Sequence, residues 1–158
     1  MKRKSERGQS LVELGISLLI LLYLLSGAVE FGVLFFQFVQ LRDAAQEGAL
    51  YGSTNPTETS WANVEARARA ASSNTPINMS SAANVTVKIF IDEVLVWQNG
   101  AQVTTSSADC EGHGIRVTVE YQHRIFMPFM PQLLGRSSNP YIPLSATVVD
   151  TILTPVCP

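Results

Sequence analysis

From Leu14 to Val29 the chain reads LGISLLILLYLLSGAV, with no charged side chain. A run this apolar is buried in a core or immersed in lipid, because water gives it no third choice. Glu13 stands at its start, and Glu30 ends it. FGVLFFQFVQL then carries the apolar character on to Leu41. The 17 residue steps from Glu13 to Glu30 span roughly 26 Å of helix at about 1.5 Å per step, close to the roughly 30 Å of a bilayer's hydrocarbon. One helix therefore sets a carboxylate near each interface and none at the midplane. That spares both the full cost of a charge in hydrocarbon.

The charges around the run are asymmetric. Residues 1–8 hold four basic side chains, Lys2, Arg3, Lys4 and Arg7, against one acidic one. The rest of the chain holds 7 basic and 12 acidic residues. The positive-inside bias places the N-terminus in the cytoplasm and everything after the run outside. A net charge of −2 over 158 residues offers no basic surface for nucleic acid, and none is expected as a partner.

The helix is expected to outlast the membrane. Past Glu30, the residues Glu30, Gln37, Gln40, Ala44 and Glu47 recur on one face, while Phe31, Leu34, Phe35, Phe38 and Leu41 line another. RDAAQEGALYG supplies good helix formers, and Gly52 with Ser53 to Pro56 is a stop. The first helix is expected over about residues 10–50, with a transmembrane part at about 14–36. Asn55, Pro56 and Glu58 have the spacing of a second helix start. That helix continues as WANVEARARAASS, with Trp61, Val64, Ala68 and Ala71 on its packed face and Glu65, Arg67 and Arg69 directed elsewhere.

The period then falls to two. Val85, Val87, Ile89 and Ile91 alternate with more polar positions, as do Ile115, Val117, Val119 and Tyr121. VLVWQNGAQVT reads as a hairpin about Asn99-Gly100. LSATVVDTIL makes a further strand. The class is α+β: a long N-terminal helix, a short second helix, and an antiparallel sheet of about four strands packed on the helix's amphipathic half.

Few residues suggest chemistry. There is no G-x-S-x-G, P-loop, H-E-x-x-H or C-x-x-C. No catalytic residue, cofactor or metal is expected, and the chain reads as a non-enzyme. Cys110 and His113 are a thiol and an imidazole three apart, short of the three or four ligands zinc needs. His123, at a strand end, is expected on the surface. Cys110 and Cys157 are expected to pair if the outer domain meets an oxidising compartment, with two free thiols as the alternative. Closing that loop is worth roughly 3–4 kcal/mol on loop-closure grounds. In IFMPFMPQLLG the apolar side chains Phe126, Met127, Phe129 and Met130 are broken by Pro128 and Pro131. That segment either folds over the core or contacts a partner subunit or the membrane surface.

The start of the chain carries a resemblance. Basic residues, Gly8, four residues, Glu13 and an unbroken apolar helix resemble the class III signal of type IV pilin-like proteins. The wider pattern is similar to the TadE-like minor pilins of tight-adherence (Flp/Tad) pili. It comprises an RGQ-x-x-VE start over Arg7 to Glu13, an EFG over Glu30 to Gly32, and an A-x-EGA-x-Y stretch over Ala45 to Tyr51. The resemblance implies a cytoplasmic leader at 1–8, removed by a prepilin peptidase between Gly8 and Gln9. It implies a pilin-like helix at 9–52 and an extracytoplasmic domain at 53–158. Glu13 becomes the fifth mature residue, where it can meet the new α-amine of a neighbouring subunit and fix axial register. Glu30 is a further candidate helix contact. The implied partners are other pilins of the same pilus, a secretion-type assembly platform and the lipid bilayer. The implied role is pilus biogenesis and surface adhesion. The competing reading is an exported or membrane-anchored binding domain. In its exported form a conventional signal is cut after Ala28, behind the small residues Ser26-Gly27-Ala28.

Overall fold

The computed structural model describes residues 6–55, 61–71, 77–105, 110–128, 130–133, 135 and 139–154. Pro56 and Glu58 of the expected second-helix start, together with Lys2, Arg3, Lys4, Phe129 and Cys157, lie outside these. The chain forms two compact units, one of residues 1–34 and 125–140 and the other of residues 35–124 and 141–158.

Helix α1 runs over Glu6–Thr54, and α2 over Trp61–Ala70. Five strands follow: β1 (Val85–Ile91), β2 (Val94–Gln98), β3 (Ala101–Gln102), β4 (Gly114–Arg124) and β5 (Tyr141–Thr151). A single turn of helix, α3 (Met130–Leu133), lies between the last two. The sheet is antiparallel throughout, in the order β3-β2-β1-β4-β5. The expected α+β architecture stands, with five strands in place of about four.

In the unit of residues 35–124 and 141–158, one face of the sheet makes the core. Val85, Val87, Ile89 and Ile91 of β1 pair across to Tyr121, Val119, Val117 and Ile115 of β4. All but Tyr121 are fully buried. They pack with Leu41, Ala44, Ala45 and Ala49 of α1 and with Trp61, Val64 and Ala68 of α2. Small residues allow the close approach. A methyl group added at Gly48 would stand 3.1 Å from Ala68 Cβ and 3.3 Å from Val117 Cγ1. One added at Gly52 would land on Ile115 Cδ1.

The buried face of α1 is the one expected to be polar. Gln37 and Gln40 are buried beside Leu41, Ala44 and Ala45. Phe35, Phe36, Phe38 and Val39 are exposed. The reason is on the strand opposite. His123, expected on the surface, is fully buried, and its Nδ1 lies 2.7 Å from Gln37 Oε1. A buried imidazole needs a polar partner, and the glutamine supplies it.

The α1 terminus is capped by the chain's far end. Leu153 N–H donates to Ser53 O at 2.8 Å, and Thr154 Oγ1 to Thr54 O at 2.9 Å. These satisfy carbonyls that a helix end leaves without partners.

Two tight turns shape the strands. Gln98 pairs with Ala101 around Asn99-Gly100, both at positive φ, as the sequence leads one to expect. Ile91 pairs with Val94 around Asp92 (φ 43°) and Glu93 (φ 72°). This second turn carries no glycine, so no composition signal marked it. The surroundings hold it instead. Asp92 Oδ1 accepts from Gly114 N–H at 2.8 Å, and the largely exposed Glu93 adds only a weak ion pair with Arg116 at 2.6 Å.

Glu65 also departs from expectation. It is buried, accepting from Trp97 Nε1 at 2.6 Å, Gly100 N–H at 2.7 Å and Arg69 Nε at 2.7 Å. Arg69 donates further to Met79 O and Asn99 Oδ1. The pair joins α2 to the β2–β3 hairpin, so Glu65 and Arg69 are fastenings, while Arg67 stays exposed.

Candidate anchoring and assembly helix

The residues singled out in the first turns of α1 lie open along it. Gly8, Gln9 and Glu13 are helical and exposed, and a side chain added at Gly8 would meet nothing. The first turn of a helix lacks internal partners for its N–H groups.

From Leu11 to Leu25 every residue is exposed. The helix is long and apolar enough to cross a membrane and is compatible with a membrane anchor. Exposure of so many leucines is not a surface that water tolerates.

The environment changes at Ser26 and Gly27, which are partly covered. Glu30 is buried at 8% exposure. Its carboxylate accepts from the backbone N–H of Phe126 at 3.1 Å and of Met127 at 3.1 Å. A methyl added at Gly27 would stand 3.6 Å from Met127 Cε. Two stretches that the sequence offered separately, Glu30 and the Phe126–Met127 pair, are thus one assembly within the unit of residues 1–34 and 125–140. Met127 is packed away at 3% exposure, whereas Phe126 is 72% exposed and Met130 partly covered.

Further along the chain, Cys110 is buried and disulfide-bonded. His113 Nδ1 lies 2.5 Å from Asp92 Oδ2. The Gly114 amide, and then His113, hold the Asp92 carboxyl below the usual carboxylate range. Among the described residues, no group of three or more histidine, cysteine or carboxylate side chains could hold a metal.

Residues 8–50 match the family model described as TadE-like protein. This segment is TadE-like. The match begins at Gly8 and ends four residues before the end of α1. It contains Glu13, Glu30 and the whole exposed apolar stretch. No curated protein and no solved structure matches the chain.

Sequence reasoning missed the burial of Gln37 and His123 and the bond from Glu30 to a segment far along the chain. A signal for the first existed. Gln37, Gln40, Ala44, Gly48 and Gly52 form a stripe of small and polar residues at steps of three and four. Such a stripe marks close approach of another element.

Proposed function

We propose that this protein is a minor pilin-like subunit of a tight-adherence pilus, a structural protein rather than an enzyme. Supporting this above all is the TadE-like match over 8–50, laid on a helix whose first half is apolar and uncovered. In this reading a prepilin peptidase cuts between Gly8 and Gln9 and leaves the helix in place. The cytoplasmic residues 1–8 are lost, and residues 53–158 form an extracytoplasmic domain. Sibling pilins, an assembly platform and the bilayer are its partners, and pilus biogenesis and surface adhesion its roles. Cys110 pairs with Cys157, pinning the C-terminal tail.

Glu13 is the registering group. Removal of the leader creates an α-amine at Gln9, one helical turn away. In a bundle of such helices the amine of one subunit meets Glu13 of another. Packed leucines slide along each other at little cost, whereas an ion pair in low dielectric has one favourable register. A disulfide between the cysteines needs the oxidising side of the membrane, which agrees with the charge asymmetry around α1.

The deciding measurement is the N-terminal residue of the mature protein in the membrane fraction, by mass spectrometry. Gln9 is expected. Val29 would make the chain an exported domain with a conventional signal. An intact N-terminus in cells with an active peptidase would reduce it to an anchored domain.

A further inference from the structure

The segment 125–128 is laid against α1 through Phe126 and Met127, at the level of Gly27 to Glu30, inside the stretch that sequence alone assigns to the membrane. We propose that this segment is a lipid-facing collar. It enters the outer boundary of the bilayer, with Phe126 and Phe31 among the acyl chains and Glu30 as its internal fastening. The proposal rests on the reading of α1 as a membrane anchor, and goes beyond it by assigning a second element of the chain to the lipid.

Three observations lead there. The first is length. The fully exposed run Leu11 to Leu25 covers 14 steps, about 21 Å of helix, well short of the roughly 30 Å of hydrocarbon. Continuing to Phe31 makes 20 steps, or about 30 Å. The hydrocarbon is filled only if it reaches the level at which the segment sits. The second is continuity. Val29 and Phe31 on the helix and Phe126 on the segment are exposed, at 60%, 70% and 72%. Along α1 from Ala28 to Phe31 the exposed residues are all apolar, and the one charged residue in that stretch, Glu30, is buried.

The third observation is the backbone. Irregular chain at membrane depth is excluded unless its polar groups are satisfied within the protein. Ile125 N–H donates to Pro140 O at 2.9 Å. Phe126 and Met127 donate to Glu30. Pro128 has no N–H to satisfy, so every N–H of residues 125–128 is accounted for. A surface loop in water has no need of this economy, since solvent would take the same bonds. The carboxylate gains equally, because two amide donors offset part of the cost of holding charge at the membrane edge.

The test uses the full chain reconstituted in phosphatidylcholine vesicles, with lipids brominated either near the headgroup or near the chain end. Three single variants, Phe126→Trp, Leu18→Trp and Val149→Trp, each add one indole, and the signal of Trp61 and Trp97 is subtracted with the unchanged protein. The Phe126→Trp indole is expected to emit at short wavelength and to lose most of its emission to the shallow bromines and less to the deep ones. Leu18→Trp should be quenched chiefly by the deep bromines, and Val149→Trp by neither. If Leu18→Trp is quenched and Phe126→Trp is not, the collar is refuted while the anchor stands. Blue emission from Phe126→Trp without quenching, rising with protein-to-lipid ratio, would show a second copy covering the site and also refute it. Failure of Leu18→Trp to quench would overturn the anchor and the collar together.

Discussion

Asp92 and Glu93 occupy a two-residue turn of the kind that asparagine and glycine adopt without strain, yet neither is present. A left-handed φ at a residue bearing a β-carbon costs about 1–2 kcal/mol. Glu93 is the more open of the two, and its ion pair with Arg116 is exposed on the acidic side and worth little. Glu93→Gly should therefore stabilise the domain by about 0.5–1 kcal/mol in urea unfolding, the relief of strain exceeding glycine's extra chain entropy. Asp92 has a different part, since its carboxylate holds the Gly114 amide and faces His113. Its pKa is lower in the folded protein than in the unfolded chain. Its contribution is then complete above the unfolded value and disappears as pH falls through the lowered folded value. Asp92→Asn keeps an acceptor for Gly114 and tolerates the backbone. It should lower stability near neutrality and converge with the unchanged protein at low pH, so that the acid limb of a thermal stability profile is flatter. An unchanged acid limb would show that other carboxylates govern it.

At the scale of elements, α1 meets α2 and β4 through glycines and alanines, so shape sets the tolerance. In Gly52→Ala, the helix-propensity gain of about 1 kcal/mol opposes an overpacking cost of about 1–3 kcal/mol. Ile115 is fully buried, so its terminal methyl moves only by displacing packed neighbours, and the net should be a loss of up to about 2 kcal/mol by chemical denaturation. Ile115→Val removes the offending methyl and by itself costs about 0.5–1.5 kcal/mol. The double variant should be more stable than the sum of the two changes predicts; simple additivity would mean that the contact is not the cause. The strands beside this contact were legible because period-two alternation in β1 and β4 follows directly from one buried face. The Asn99-Gly100 turn was legible for its residue types, and the Asp92-Glu93 turn was not, because tertiary bonds rather than local preference hold it. Which face of α1 turns inward was not legible, for a simpler reason. An amphipathic helix in water turns its phenylalanines inward, and Gln37 instead turns inward to serve His123.

For the whole molecule, the consequences concern assembly. Glu13→Gln keeps size and helix propensity but removes the charge. Under the proposed pilin role it should leave membrane insertion and leader removal intact and reduce recovery of the subunit in sheared pili several-fold, since a buried ion pair that loses one partner is costly. Undiminished recovery would remove Glu13 from the register argument. The long apolar helix and the TadE-like segment were readable because the length of an apolar run and short motifs are one-dimensional properties. The fastening of residues 126–127 to Glu30 was not readable, since the partners stand almost a hundred positions apart and neither has a composition that names the other.

The inverted face of α1 also governs how this protein could ever be trimmed. Its greasy turns and its keystone turns are the same turns: Phe31 follows Glu30, and Phe36 and Phe38 flank Gln37. Scissors cannot separate them. A cut that removed the phenylalanines would take His123's companion with it and leave a buried imidazole with a missing bond. A cut that spared Gln37 would keep Phe38 and Val39 bare. A soluble, faithful version of the sheet-bearing unit is therefore to be reached by repainting, residue by residue. Serine or glutamate at positions 35, 36, 38 and 39, with Gln37 left alone, is the shortest route.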